Sequence, residues 1–191
     1  MLRVAVLLLI ACSFAFAETG GKIVSAARKQ IGVTVNYDPA YVSLAYPGGD
    51  IPRERGVCTD VVIRALRDGI DKDLQKLVHG DMRANFGKYP KIWGLKRPDK
   101  NIDHRRVPNL MAYFKRHHTT VPVAAKPAPG KFLPGDLVTC IVPPNLPHIM
   151  IVSEKKNEDG LPLVIHNIGG GTREEDRLTD FPITGHFRWK E

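Results

Sequence analysis

The sequence predicts an α+β fold, in which N-terminal helices pack on a C-terminal antiparallel sheet. Up to residue 114 the apolar residues recur at helical spacing in several segments. After residue 135 they come instead in short runs that prolines, glycines and polar turns separate. Because helices come first and a series of short strands follows, we expect a meandering sheet covered by the preceding helices.

The N-terminus has the composition of a secretory signal. Arg3 is followed by the apolar run Val4–Phe16, and Ala15–Ala17 forms an A-x-A cleavage pattern. The run is shorter than the roughly 20 residues that span a bilayer, and no other segment suits a membrane span. A lipoprotein signal is the alternative, since Leu9–Cys12 resembles a lipobox. We therefore expect a signal peptide over residues 1–17 and a single periplasmic or secreted domain over residues 18–191.

The charge of the chain points to an anionic partner. The formal net charge is +8, and removal of Arg3 with the signal peptide leaves about +7. Such a surface either aids solubility or attracts peptidoglycan or another anionic polymer of the cell envelope. Export, and the absence of a basic patch interleaved with aromatic residues, argue against nucleic acid.

Four segments are predicted to be helical. Each has apolar residues on one face: Ile23–Ile31, Thr59–Leu66, Asp71–Phe86 and Val107–Phe114. Gly32 is the expected C-terminal stop of the first helix. Tyrosine, proline and glycine dominate residues 33–57, which are predicted to form an irregular loop, and residues 87–108 form a second, polar and aromatic loop.

Four strands are predicted in the second half: Leu137–Val142, His148–Val152, Leu163–Ile165 and Ile183–Trp189. Gly135 and Asp136 open the first of them, and Pro143 and Pro144 end it. A polar turn over residues 154–160 joins the second strand to the third.

Cys58, at the start of the second predicted helix, is the principal candidate nucleophile. Its thiol would face the positive end of the helix dipole and unpaired backbone N–H groups, which favour the thiolate. His148 and His166 each lie at the edge of an apolar run, so paired strands would bring both towards the helix. A cysteine hydrolase needs a nucleophile, a base and a residue that orients the base. The alternatives are a structural role for the histidines and a Cys58–Cys140 disulfide.

Four short elements resemble the NlpC-type branch of papain-like cysteine peptidases: Gly56–Asp60, Pro134–Val138, Pro147–Val152 and Val164–His166. The resemblance implies a papain-like (NlpC-type) fold with Cys58 as nucleophile, His148 as base and His166 as orienting residue. Asn167 is a second candidate for the third role. Val57 and Thr59 stand where the branch usually has Asp and then Ser or Gly.

A closer resemblance covers nearly all of the mature chain. It rests on the segments Gln30–Thr34, Tyr46–Asp50, Asn101–Leu110 and His166–Gly171. These are similar to the bacterial "domain of unknown function 1287" family, which implies an exported protein with an NlpC-like fold.

The loop over residues 101–106 is a candidate substrate-binding segment. Asp103, His104, Arg105 and Arg106 follow one another, and an arginine fork can bind a substrate carboxylate. The alternative is an ion-pair cluster that holds a long loop in place. No strong metal-ligand spacing is present, so no metal and no cofactor are expected.

Together these observations predict an exported cysteine hydrolase that cleaves amide bonds, in peptidoglycan peptide stems, through Cys58, His148 and His166. Two alternatives remain. One is a non-catalytic cell-envelope binding protein with a papain-like shell, and the other is a thioesterase or acyltransferase that uses the same three residues.

Overall fold

A computed structural model describes residues 18–123 and 127–190. The predicted signal peptide, and with it the alternative lipoprotein cysteine Cys12, lies outside the described residues. No helix within the described ranges is long and apolar enough to cross a membrane.

Among the described residues four α-helices form, close to where the sequence predicts them. They are α1 (18–28), α2 (Cys58–Ile70), α3 (Leu74–Asn85) and α4 (Val107–His117). Short 3-10 helices span Phe86–Lys88 and Asp103–Arg105.

The ends of α1 and α2 differ from the prediction. After α1 the chain tightens to i→i−3 hydrogen bonds, such as that from Ile31 N–H to the Arg28 carbonyl, and turns at Gly32 with a φ of 77°. α2 continues past Leu66 to Ile70, and the next residue, Asp71, has a left-handed φ of 54° and donates its N–H to the Arg67 carbonyl. α1 therefore ends before Ile31, the last apolar residue of its segment, whereas α2 ends at Ile70, just before the left-handed Asp71.

The main sheet has six strands in the order β3-β8-β4-β5-β6-β7, and every neighbouring pair is antiparallel. Their bounds are β3 Thr119–Thr120, β4 Leu137–Val142, β5 Leu146–Lys156, β6 Pro162–Asn167, β7 Thr172–Glu175 and β8 Ile183–Arg188. A separate parallel pair joins β1 (Asn36–Tyr37) to β2 (Arg55–Gly56). The four predicted strands are present as β4, β5, β6 and β8.

The strands that the sequence did not predict are short or charged. β7 reads Thr-Arg-Glu-Glu and lies at the edge of the sheet, where charged side chains are the rule. β1, β2 and β3 contain two residues each. None of them has the apolar alternation by which a strand is recognised.

The core holds α2 against the middle of the sheet. Val61 and Leu66 of α2 pack with Ile149 and Ile151 of β5 and with Ile165 of β6, all buried. Burial of each such side chain contributes about 1.5–3 kcal/mol. The start of α2 is therefore held rigidly above the point where β5 and β6 begin to pair.

Candidate active site

Cys58 is the first residue of α2 and is almost completely buried, at 4% exposure. The residue before it, Val57, has an extended backbone and donates its N–H to Asp60 Oδ2 at 2.7 Å. Asp60 thus acts as the acidic half of a capping box in the first turn. This interaction orients the first turn of α2, where backbone N–H groups have no intrahelical acceptor.

Arg105 holds the same turn from the opposite side. Its Nε and Nη2 each donate to Asp60 at 2.9 Å, and Nη1 donates to the Ala40 carbonyl at 2.9 Å. Thr59 Oγ1 donates back to the Arg105 carbonyl at 3.1 Å. The 3-10 turn around residue 104 and the loop at residue 40 are therefore fastened to the start of α2.

Asn167, at the end of β6, ties the sheet to the segment before Cys58. Its Nδ2 donates to the Gly56 carbonyl at 3.0 Å, and its Oδ1 accepts the Gly169 N–H at 3.1 Å. Both functional groups of the amide are thus used structurally. The role of Asn167 as an orienting residue stays a prediction.

His148 and His166 form a directly bonded pair. His148 Nε2 lies 2.7 Å from His166 Nδ1, and the two rings meet edge to face with centroids 5.0 Å apart. Both side chains are buried. Nε2 of His148 is thus occupied by His166, and Nδ1 is its other ring nitrogen.

The thiol of Cys58 lies beside the residue that follows His148. The backbone N–H of Ile149, together with those of Thr59 and Cys58 itself, lies close enough to the sulfur to lower the thiol pKa. The thiol of Cys58 therefore lies against β5, the strand that carries His148.

Burial, however, dominates the pKa of Cys58 and raises it to about 12. The expectation that the helix start favours the thiolate is therefore wrong for the unliganded protein, since removal from water outweighs the three amides. Burial, followed by the neighbouring His166, lowers the pKa of His148 to about 3. At neutral pH the site consequently holds a thiol and a neutral imidazole.

Cys140 is not joined to Cys58, as both cysteines are free and buried. Cys140 lies on β4 directly opposite His148, shares a face of the sheet with it, and packs with Val138 and Met150. Burial raises the pKa of its thiol to about 12. Cys140 therefore serves as a small apolar residue of the second core cluster.

A cleft of about 310 Å³ opens beside Cys58. Its walls include Tyr37, Trp93, Arg105, Arg106 and Pro147. The Arg106 guanidinium stacks over the Trp93 ring at 4.2 Å from its centroid. The cleft thus offers a substrate an aromatic surface and a cation close to the buried thiol.

A second groove, of about 860 Å³, is lined by parts of the same loops. Gly94 and Asn101, which line the groove, directly adjoin Trp93 and Ile102 of the cleft. Its cationic lining residues are Arg83, Lys96, Arg97 and Lys100. Among the described residues none of these four forms a salt bridge, so the groove presents positive charge to solvent.

Two residues of the predicted substrate-binding loop line the cleft and two do not. Asp103 accepts the Asp99 N–H at 2.5 Å and pairs with Arg106 at 3.2 Å, and His104 is likewise buried. Neither Asp103 nor His104 lines the cleft, whereas Arg105 and Arg106 do. Substrate binding by this loop stays a prediction, which Arg106 suits best because part of its side chain is exposed.

Another cavity, of about 390 Å³, lies beside α1 and β8. Ile23, Leu133 and Trp189 line it, and no histidine or cysteine does. It therefore lacks the groups of a nucleophilic site. Within residues 18–123 and 127–190, no three His, Cys, Asp or Glu side chains cluster as metal ligands.

Comparison with known proteins identifies the family. The family described as "Domain of unknown function (DUF1287)" matches residues 24–189. The chain belongs to this family. A relative, YijF of Escherichia coli (strain K12), is 56% identical over 173 residues, covering 91% of this chain and 83% of YijF. The predicted DUF1287 membership is confirmed.

Solved structures place the fold. This DUF1287 chain superposes on a crystal structure of an N-acetylmuramoyl-L-alanine amidase from Bacteroides uniformis with a TM-score of 0.54 and 13% identity, over 91% of this chain and 99% of the amidase. A second crystal structure described in the same terms gives a TM-score of 0.51 and 16% identity with the same coverage. The predicted papain-like α+β fold is confirmed, while the assignment to the NlpC-type branch stays a prediction.

Proposed function

We propose that the protein is an exported cysteine hydrolase that cleaves amide bonds in the peptide stems of peptidoglycan. The observation that carries the proposal is the placement of Cys58, at a helix start, beside a strand whose His148 is bonded at 2.7 Å to His166. A nucleophile, a base and an orienting group are the minimum set for covalent acyl transfer.

The proposed mechanism starts from a neutral thiol and a neutral imidazole. As the sulfur of Cys58 attacks the amide carbon, Nδ1 of His148 accepts the thiol proton. His166 accepts the Nε2–H of His148 and so stabilises the imidazolium that forms. Backbone N–H groups at the start of α2 would hold the oxyanion of the tetrahedral intermediate.

The second half of the reaction reverses these proton transfers. His148 returns its proton to the leaving amine, and the carbon–nitrogen bond breaks to give a thioester on Cys58. His148 then removes a proton from water, which attacks the thioester. The carboxylic acid product leaves and the thiol is regenerated, so the cycle needs no cofactor.

Three features support peptidoglycan as the substrate. The fold is shared with proteins described as N-acetylmuramoyl-L-alanine amidases. The predicted signal peptide directs the chain to the compartment of the wall. The second groove, lined by parts of the same loops, carries four cations, which suit the carboxylates of a stem peptide.

Digestion of purified peptidoglycan tests this function. The chain without residues 1–17 is incubated with sacculi, and mass spectrometry follows the release of peptides with new amino and carboxyl ends. We expect Cys58→Ala to lower the rate at least a thousandfold and the matched control Cys140→Ala, checked for folding, to retain it. Absence of release by the unmodified protein, or full activity of Cys58→Ala, would contradict the proposal.

A non-catalytic binding protein is the second candidate. The observation in its favour is the depth of Cys58, whose thiol is both buried and raised in pKa. This candidate predicts that sacculi bind without being cleaved and that Cys58→Ala binds as well as the unmodified protein.

A further inference from the structure

The outer end of the histidine pair is unsatisfied. His166 uses Nδ1 towards His148, while its Nε2 is buried and has no hydrogen-bond partner among the described residues. A buried polar nitrogen without a partner is costly and calls for an explanation. The acidic group that faces it is Glu175, whose Oε1 lies 3.8 Å from that nitrogen.

The sheet places Glu175 on the same side as His166. In the β6–β7 register His166 pairs with Arg173 and Val164 pairs with Glu175. Because side chains alternate along a strand, Glu175 stands diagonally across from His166 on one face. The next residue back, Glu174, faces the other way and bonds Arg28 and Ser153.

Proton positions in the pair follow from the role of His148. To accept a proton at Nδ1, neutral His148 must carry its hydrogen on Nε2 and donate it to His166 Nδ1. Neutral His166 must then carry its own hydrogen on Nε2. That hydrogen points into the buried space in front of Glu175.

We infer that Glu175 is a positioning residue that holds His166 in the Nε2–H tautomer and so, through the 2.7 Å bond between the rings, sets the tautomer of His148. The inference rests on the proposed function for its use in catalysis. Active-site hydrogen bonds are often long before substrate binds, and the 3.8 Å contact has only to shorten to about 3 Å.

Arg177 holds the carboxylate of Glu175 in place. Its Nε donates to Glu175 Oε2 at 3.3 Å, and its Nη1 donates to Asp180 at 3.2 Å. Oε1 of Glu175 is left for the histidine. The charges that face His166 are thus the acids Glu175 and Asp180 and the base Arg177. When His148 becomes an imidazolium, Glu175 adds a negative charge at the far end of the pair.

Two variants separate the hydrogen bond from the charge. Glu175→Gln keeps an amide oxygen that can accept the Nε2–H, whereas Glu175→Ala removes the acceptor. We expect Glu175→Ala to lower kcat for peptidoglycan fragments about tenfold to a hundredfold with little change in KM, and Glu175→Gln to restore part of the loss. Glu158→Gln, on an exposed turn, is the matched control and should change neither constant.

Nitrogen NMR of protein with isotope-labelled histidine reports the tautomer of His166, whether or not the protein cleaves a substrate. At pH 7.5 the unmodified protein should show His166 protonated at Nε2, and Glu175→Ala should show a mixture of tautomers. Protonation of His166 at Nδ1, or an unchanged tautomer in Glu175→Ala, would overturn the inference. If the protein cleaves no substrate, the proposed role of Glu175 in catalysis is wrong. The NMR result still decides whether Glu175 orients His166.

Discussion

Arg105 and Asp60 are joined by two hydrogen bonds of 2.9 Å, and their side chains are only 2% and 4% exposed. Asp60 belongs to the first turn of α2, two residues after Cys58, while Arg105 belongs to the loop that lines the cleft. One buried ion pair thus fixes the nucleophile and the wall of its cleft relative to each other.

Removal of Arg105 should therefore unfold the protein more easily. Arg105→Ala leaves the Asp60 carboxylate buried without its cation, which typically costs about 3–5 kcal/mol of unfolding free energy. Urea unfolding monitored by circular dichroism measures the loss. Arg53→Ala is the matched control, since Arg53 pairs with Asp68 at the surface and its loss should cost at most about 1 kcal/mol. Equal losses in the two variants would contradict this account.

Stability should fall in mild acid because of buried histidines such as His104. Burial lowers the pKa of His104 to about 4, whereas an unfolded histidine titrates near pH 6.5. Between these values the unfolded chain binds more protons, so stability present above pH 6.5 is lost as the pH falls towards 4. At pH 5 the loss is about 2 kcal/mol for this residue.

Urea unfolding at pH 7.5 and pH 5.0 tests that loss. The free energy of unfolding should differ between the two pH values by about 2 kcal/mol less in His104→Asn than in the unmodified protein. An identical difference in the variant would show that His104 is not the group that titrates.

Arg106 should act on substrate binding rather than on the chemical step. It stacks on Trp93 in the cleft and does not contact the histidine pair. Arg106→Ala should raise KM for peptidoglycan fragments about tenfold, equal to about 1.4 kcal/mol, with kcat changed little. Lys131→Ala, an exposed cation elsewhere, is the control. A fall in kcat at constant KM would place Arg106 in the chemistry instead.

The cationic groove should govern the salt dependence of wall binding. In a Cys58→Ala background, the double variant Lys96→Glu with Arg97→Glu should weaken binding to sacculi and flatten its dependence on ionic strength. Lys131→Glu with Lys156→Glu changes the net charge equally at sites away from the groove. Sedimentation of protein with sacculi at several salt concentrations gives the affinity of each double variant for the wall. Equal weakening by the two double variants would mean that net charge alone matters.

Local patterns predicted the main elements. Apolar spacing located four helices and four strands, and Cys58 stands at a helix start as the sequence indicates. β7 escaped prediction because Thr172–Glu175 has no apolar alternation, and it carries Glu175, which faces His166. β7 is recognised only by its pairing with β6, and that pairing exists only in the folded chain.

Burial explains what the sequence could not indicate at the site. The helix position of Cys58 favours a thiolate, yet the depth of the thiol in the folded chain raises its pKa. Asp103 and His104 look like binding groups in a polar loop, but tertiary packing turns them inward. The partnership of Asp60 with Arg105 joins residues 45 positions apart.

The most direct test of the nucleophile and base is the rate at which iodoacetamide alkylates Cys58 across pH, in the unmodified protein and in His148→Ala. If His148 accepts the thiol proton, the unmodified protein should alkylate at a nearly constant rate between about pH 5 and 8, where thiol and imidazole are both neutral. His148→Ala should react at least a hundredfold more slowly at pH 6, and its rate should rise about tenfold per pH unit as free thiolate forms. Coincident profiles for the two proteins would contradict the pairing of Cys58 with His148.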